Sequence, residues 1–258
     1  MTRLGLWLGV GMSLLGVQDM SGATTEQASN DAGDVQQQPL LGGLLQQSRI
    51  LYPLQVGEWN ATAEHLYDDQ QHGVSIRYAH GQDRDRWIDL YFYPAGYLSS
   101  SQFSEMAHEE ADGIRLAHRE AGSTAVDMGA LRSFSPDAGA ASAIEGVAMD
   151  MGFTCDDIPY SSAMILTLDR LYFVKARYSI EEARLSRRDT LQQLQDFVVA
   201  LQSRLTLRSV VAGATTMGPL NGEAFASSTP DGLREIRLDY RAATEGVQRP
   251  SGVRIMIA

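Results

Sequence analysis

Hydrophobic and polar residues alternate along two pairs of neighbouring segments, as they do in antiparallel strands with one buried face. In the first pair, HGVSIRYAHG and WIDLYFYP are separated by a polar turn around QDRDR. In the second pair, SAMILTL and LYFVKARY flank a turn at Asp169 and Arg170. Strands joined by such short turns run antiparallel, so the pattern predicts two β-hairpins.

Two other segments have the period of an amphipathic helix. Between the hairpins, a helix is predicted from about Ser100 to Ala121, with two further strand candidates, ALRSFS and EGVAMDMGF. After the second hairpin, a long helix begins at a cap formed by either Ser179 or Ser186. Its apolar stripe consists of Leu191, Leu194, Val198, Leu201 and Leu205. Two helices with one stripe each can cover the same face of a sheet. The order of elements therefore predicts an α+β fold, in which two amphipathic helices cover one face of an antiparallel sheet.

The chain begins with the pattern of an export signal. Arg3 precedes the apolar run LGLWLGVGMSLLGV, which is too short to span a bilayer, and Ser21-Gly22-Ala23 supplies small residues for cleavage. The segment that follows is polar and rich in Gln, which is typical of a disordered spacer. The predicted organisation is a signal peptide over 1–23, a spacer over 24–39, an α+β sandwich over 40–208, and a C-terminal appendage or edge hairpin over 209–258.

Amino-acid composition limits the cellular compartments and the classes of binding partner that we expect for this protein. The sequence has 258 residues, of which 44% are apolar, enough for one sizeable core. Its formal net charge of -11 argues against nucleic acid and anionic membrane surfaces, because both select clusters of Lys and Arg. Cys155 is the only cysteine, which excludes an intrachain disulfide and a lipid at the mature N-terminus. We therefore expect a periplasmic or secreted protein with no stable membrane anchor after signal removal.

The segment HEEADGIRLAH is similar to the zinc-binding helix of secreted metalloproteases. His108, Asp112 and His118 occupy ligand positions, but an aspartate stands where that motif has its second histidine. In a straight helix the two histidines lie about 15 Å apart along the axis, so they share a metal only if the helix stops after Asp112. The apolar stripe continues across Gly113, which favours an unbroken helix with a solvated polar face. A zinc-dependent hydrolase centred on His108 stays as the alternative function.

The sequence contains no other motif for catalysis or cofactor binding. The sequence contains no GxSxG elbow, no P-loop or dinucleotide-binding glycine pattern after a strand, and no cysteine pair that could hold zinc. Adjacent carboxylates such as Asp68 and Asp69 are typical of a solvated surface. The sequence therefore predicts no cofactor and no catalytic residue.

One face of the predicted sheet is unusually polar. If Ile88, Leu90 and Phe92 point towards the helices, the residues between them point the other way. The same phase places a set of charged and tyrosine side chains on that second face: Arg77, Asp89, Tyr91, Tyr93, Lys175 and Arg177, with Asp150 as a further candidate. Mixed charge and tyrosine can bind a protein partner or an anionic ligand. The alternative is an open, wet sheet face stabilised by cross-strand ion pairs.

Several strand segments carry a resemblance to known proteins. They are Tyr52-Pro53, Val56-Gly57-Glu58-Trp59, GVSIRY from Gly73, DLYFYP from Asp89 and YFVKAR from Tyr172. Together they resemble a group of uncharacterised exported proteobacterial proteins, and their layout is similar to the DcrB/PsbP-like α/β sandwich. The likeness covers roughly residues 50–206 and implies a fold and a compartment, but no catalytic residue. The expected function is a periplasmic binding or protein-interaction module whose partner is another envelope protein.

Overall fold

The computed structural model describes residues 44–136, 144–211, 231–240 and 252–255, and the fold is given for these residues. The signal peptide predicted over 1–23 and the spacer predicted over 24–39 lie outside them. Among the helices of these ranges, none is both long enough and apolar enough to cross a membrane.

Strands dominate the described chain, with 53% of residues in strands and 23% in helices. The strands of the first half are β1 (Leu45–Pro53), β2 (Gln55–Val56), β3 (Trp59–Leu66), β4 (Val74–His80), β5 (Asp83–Pro94), β6 (Thr124–Met128) and β7 (Arg132–Ser133). Those of the second half are β8 (Glu145–Cys155), β9 (Ile158–Asp169), β10 (Tyr172–Glu181), β11 (Thr206–Val211), β12 (Leu233–Asp239) and β13 (Gly252–Ile255). The two α-helices are α1 (Ser100–Glu120) and α2 (Arg187–Gln202).

The strands form a large and a small antiparallel sheet. The main sheet has the order β13-β3-β4-β5-β10-β9-β8-β6, with β2 beside β3 and β7 beside β8. The small sheet has the order β11-β1-β12, so β1 lies between two strands from the C-terminal part of the chain. Both predicted hairpins are present, as β4–β5 and β9–β10.

The main sheet is covered on both faces. On one face, which we call the α2 face, residues such as Ile88, Leu90 and Phe92 pack with Leu194 and Leu201 of α2. The small sheet extends the same core through Ile50, Leu207 and Ile236. On the opposite face, which we call the α1 face, Phe103, Ala107 and Ile114 of α1 pack against Met149, Met164, Leu166 and Phe173. Each helix therefore has its own core and its own side of the sheet.

The predicted fold class is wrong, because the protein is dominated by sheet and its two helices do not share one face. The expectation assigned both apolar stripes to a single face and left the other open. In β9, however, the apolar residues from Ala163 to Leu166 follow one another without alternation, and they divide between the two cores, which is the pattern of a strand buried on both sides. The face beside α2 that the first helix was expected to fill is occupied by the small sheet.

Helix boundaries follow from local caps. The Ser99 hydroxyl accepts from the backbone N–H of Gln102, and the Gln102 side chain accepts from the Ser99 N–H, which completes a capping box for α1. Of the two caps predicted for α2, Ser186 is the one used, and its hydroxyl accepts from the Asp189 N–H. The second helix ends at Gln202, so Leu205 is buried just beyond it rather than on its stripe.

A buried polar cluster fastens the small sheet to the main sheet. Glu64 of β3 is 2% exposed and points to the α2 face. It accepts hydrogen bonds from the Tyr52 hydroxyl of β1 and, at 2.7 and 3.2 Å, from the guanidinium of Arg234 in β12. The hydroxyls of Tyr172 and Tyr240 form a second buried link, 2.6 Å long. The strand β12 is thus bound to the main sheet through polar contacts to the buried carboxylate of Glu64.

Candidate functional site

The six residues predicted to share a polar face do share one, and it is the α1 face. They come from three adjacent strands, β4, β5 and β10, and fall into cross-strand rows. Arg77, Asp89 and Arg177 are direct neighbours in one row, which we call the charged row. Tyr91 and Lys175 are neighbours in the next row, and Tyr93 follows beside Phe173, while Asp150 lies on the α2 face.

Part of this face is closed by α1, which the sequence-based prediction did not place there. Lys175 is 5% exposed, and its ammonium donates to the Glu110 carboxylate of α1 at 2.8 Å. The same ammonium lies 5.2 Å from the ring centres of Tyr91 and of Tyr93. Burial lowers the pKa of Lys175, and the Glu110 charge opposes that shift. Lys175 and Tyr93 are therefore interior residues that hold α1 on the sheet, and a ligand cannot reach them from solvent.

The charged row lies at the edge of the covered area. The Arg77 guanidinium donates to both carboxylate oxygens of Asp89, from Nε at 2.7 Å and from Nη2 at 2.8 Å. These two side chains are 18% and 17% exposed, and the guanidinium also lies 4.9 Å from the centre of the Trp87 ring. Asp89 lies between Arg77 and Arg177 in this row, but both of its carboxylate oxygens accept hydrogen bonds from Arg77. This geometry leaves Arg177 beside a carboxylate that is already occupied.

Arg177 contacts a histidine instead of a carboxylate. Its Nη2 lies 3.1 Å from Nε2 of His118, near the end of α1. Because a guanidinium only donates, Nε2 must be the acceptor, and the proton of the neutral imidazole sits on Nδ1, 3.4 Å from the Ser123 hydroxyl. The His118 ring also packs on Phe153, with 4.0 Å between ring centres. His118 is therefore a buried neutral acceptor rather than a solvated residue.

Burial lowers the pKa of His118 to about 4, and the Arg177 charge adds to the shift. In the unfolded chain the same imidazole titrates near 6.5. Between these values the unfolded state binds more protons, so stability is full above pH 6.5 and decreases as pH falls towards 4. We expect this histidine to account for a loss of up to about 3 kcal/mol over that window, measured by denaturant unfolding at a series of pH values.

The matched variants separate this histidine from general acid effects. His118→Gln should flatten the decrease in unfolding free energy between pH 7 and pH 4.5. His108→Gln removes an exposed histidine of the same helix and should leave the wild-type profile. Identical profiles for all three proteins would show that His118 titrates normally in the folded state.

The residues of the zinc alternative do not converge. Helix α1 continues through Gly113, so His108 and His118 stay ten positions apart on one helix, about 15 Å along its axis. His108 is exposed, and its Nδ1 lies 2.8 Å from the backbone oxygen of Ser104. Asp112 is exposed and paired with Arg115. Within the ranges that the structure describes, no three His, Cys, Asp or Glu side chains are grouped closely enough to hold a metal ion.

Gly113 provides a direct test of this continuous helix. A Cβ added at this position meets no atom within 4 Å, and the backbone is helical. Gly113→Ala should therefore stabilise the protein by roughly 0.5–1 kcal/mol, because alanine has the higher helix propensity. Thermal unfolding would measure the change. Gly73→Ala is the opposite control, since its Cβ would lie 1.9 Å from the Phe92 backbone oxygen and should destabilise strongly. A destabilising Gly113→Ala would mean that the helix ends there.

Two residues of the site were missed as partners of the sheet, Glu110 and His118. Glu110 interrupts the apolar stripe of the helix, and such an intrusion is a signal that the opposite surface carries a cation. His118 lies one turn beyond Ile114 on the same stripe and is buried with it. Apolar residues alone predict the stripe, and such a pattern does not show which polar residues are buried with it.

Several cations on the two sheets pair with carboxylates, among them Arg77 with Asp89, Lys175 with Glu110, Arg234 with Glu64, and Arg49 and Arg237 with Glu235. Arg86 of β5 instead donates to the Tyr178 hydroxyl and to the Gln193 side chain. Arg177 forms no such pair with any described residue. Its Nε is buried and has no hydrogen-bond acceptor there. A guanidinium in this condition is poorly compensated, because desolvation removes water without supplying an anion.

Comparisons with known proteins give a structural neighbour and no family. No protein-family model matches the sequence, and no curated protein matches it. Among solved structures, the chain is similar to the solution structure of cyanobacterial PsbP (CyanoP) from Synechocystis sp. PCC 6803. The two sequences are 14% identical, the match covers 69% of this chain and 98% of that chain, and the TM-score is 0.41. A PsbP protein is thus a structural neighbour, but the sequence identity and TM-score are too low to assign a role to any residue.

Proposed function

We propose that this protein is an exported binding module that acts in the periplasm, where its charged row contacts another envelope protein. The proposal takes its compartment from the export-signal pattern of the first 23 residues and from the resemblance to exported proteobacterial proteins. It takes its binding surface from Arg177. That side chain is half-buried, next to the bidentate Arg77–Asp89 pair, and has no carboxylate of its own among the described residues.

The observation that carries the proposal is the buried Nε of Arg177, which has no hydrogen-bond acceptor among the described residues. A half-buried guanidinium without a counter-charge is costly to the isolated protein, and an acidic group from a partner removes that cost. The accessible part of this face is limited, because Lys175 and Tyr93 beside the charged row are buried and Lys175 is paired with Glu110 of α1. A second function is not proposed, since no contact among the described residues favours a zinc centre at His108.

Partner recovery from an envelope fraction tests the proposal. The mature protein would be used as bait in three forms: wild type, Arg177→Gln, and Arg188→Gln, which removes an exposed arginine from α2. We expect the same partner with wild type and with Arg188→Gln, and its loss with Arg177→Gln. Circular dichroism of each bait establishes that the fold is retained. Equal recovery of the partner by the three baits would show that Arg177 of the charged row does not bind it.

A further inference from the structure

The charge balance under α1 is uneven. Three cations meet there, Arg77, Lys175 and Arg177, and two carboxylates face them, Asp89 and Glu110. Both carboxylates are used in close contacts by other cations, so the remaining positive charge is that of Arg177. His118 accepts one hydrogen bond from it but contributes no negative charge. The local excess is one positive charge, although the whole chain carries -11.

The size of that excess indicates the charge of the group that would balance it. A group with one negative charge neutralises Arg177, whereas a doubly charged phosphate leaves an unbalanced negative charge in a partly buried place. Long-range repulsion from the acidic chain also disfavours the more highly charged anion. A carboxylate is planar and matches the fork of a guanidinium, as Asp89 shows with Arg77 in the same row.

We infer that Arg177 is a binding site for a single carboxylate group, supplied by an acidic side chain or a chain terminus of the partner. The inference deepens the proposed function and rests on it for the source of the carboxylate. Arg177 is half-buried as a whole residue, its Nε is buried, and its Nη2 contacts His118. Arg77 supports the site by keeping Asp89 engaged, since an Asp89 free to turn would neutralise Arg177 from within the sheet.

His118 serves as a reporter of occupancy, because its imidazole contacts Arg177 directly. A bound carboxylate offsets the guanidinium charge, so it favours the protonated imidazole and raises the pKa of His118. Other anions that stay in bulk solvent screen charge in general but leave this contact unchanged. The reporter therefore distinguishes a carboxylate at Arg177 from an effect of ionic strength.

The experiment is an NMR titration of the wild-type mature protein with sodium acetate, at constant ionic strength kept with sodium chloride. The Arg177 Nε–H and the His118 ring resonances are followed, and inorganic phosphate is titrated in parallel. We expect saturable shifts with acetate, a raised His118 pKa in its presence, and weaker binding of phosphate. Arg177→Gln should weaken acetate binding about 10- to 100-fold, as expected for loss of a charge-assisted contact. Arg188→Gln should bind as wild type does.

The outcomes separate this inference from the proposed function. The carboxylate site is wrong if acetate causes no saturable shift, or if phosphate binds more tightly than acetate. Either result holds independently of which proteins the three baits recover. If acetate binds but Arg177→Gln still recovers the envelope partner, the site stands and the proposed function fails. If acetate does not bind but the partner is lost with Arg177→Gln, the surface is functional and the inferred ligand chemistry is wrong. Because the wild-type titration needs no variant, misfolding of Arg177→Gln cannot hide the answer.

Discussion

Leu201→Ala is expected to lower the free energy of unfolding by about 2–5 kcal/mol. Leu201 is 1% exposed, in the middle of the core that joins α2 to the main sheet and to the small sheet. Truncation removes buried methyl groups and leaves a cavity that three surrounding elements must collapse together to fill. Because these elements are fixed by backbone pairing on two sheets, we expect little relaxation and a cost in the upper part of the range. Denaturant unfolding of the two proteins measures it.

Val199 is the matched control on the same helix. It is 46% exposed, so Val199→Ala should change stability by less than about 0.5 kcal/mol. If Leu201→Ala cost less than about 1 kcal/mol, the stripe of α2 would not be packed on the main sheet.

Glu110→Ala should destabilise the protein by about 3–5 kcal/mol, because it leaves the Lys175 ammonium buried without a counter-charge. The pair is 2.8 Å long, and the two side chains are 7% and 10% exposed. The cost comes from desolvation of the remaining ion, so it should be reduced at high pH, where Lys175 can lose its proton. Burial already lowers the pKa of Lys175 in the intact protein. Unfolding curves at two pH values detect both effects.

A double variant separates two contributions to the free energy of unfolding: the penalty for leaving Lys175 buried without a counter-charge, and the net contribution of the ion pair. Glu110→Leu with Lys175→Met replaces two ions by apolar groups and should recover most of the loss. Asp112→Ala breaks an exposed pair with Arg115 on the same helix and should have an effect of no more than about 1 kcal/mol. If Glu110→Ala behaved like Asp112→Ala, the pair would be solvated and α1 would not close the sheet face.

Local pattern was sufficient to find the central strands, the helices and the sharing of one face by six polar residues. Alternation fixes which side chains point together, and short turns fix the antiparallel direction of β4–β5 and β9–β10. The cap at Ser186 was among the two that sequence reasoning offered. These features depend on residues close together in the chain, so one sequence contains the necessary information.

The pattern could not decide which face each helix covers. An apolar stripe records that a helix is buried but not against which surface, and the central strand β9 has buried apolar residues on both faces. The choice depends on contacts between distant residues, such as Glu110 with Lys175 and His118 with Arg177. The strands β1, β3, β6 and β11 were not predicted for a related reason, since their polar and apolar residues alternate weakly.

The cluster of Tyr52, Glu64 and Arg234 has a consequence for the order in which the chain can fold. The small sheet pairs β1 with β12, and residues in contact across this pair are 186 positions apart in sequence, as Arg49 and Glu235 are. Contacts of such high sequence separation close very long loops and slow folding. Until β12 is available, Glu64 has no arginine beside it, and the core under the small sheet cannot be sealed. Completion of the native state must therefore wait until β12 is available, whereas the hairpins β4–β5 and β9–β10 need only neighbouring residues.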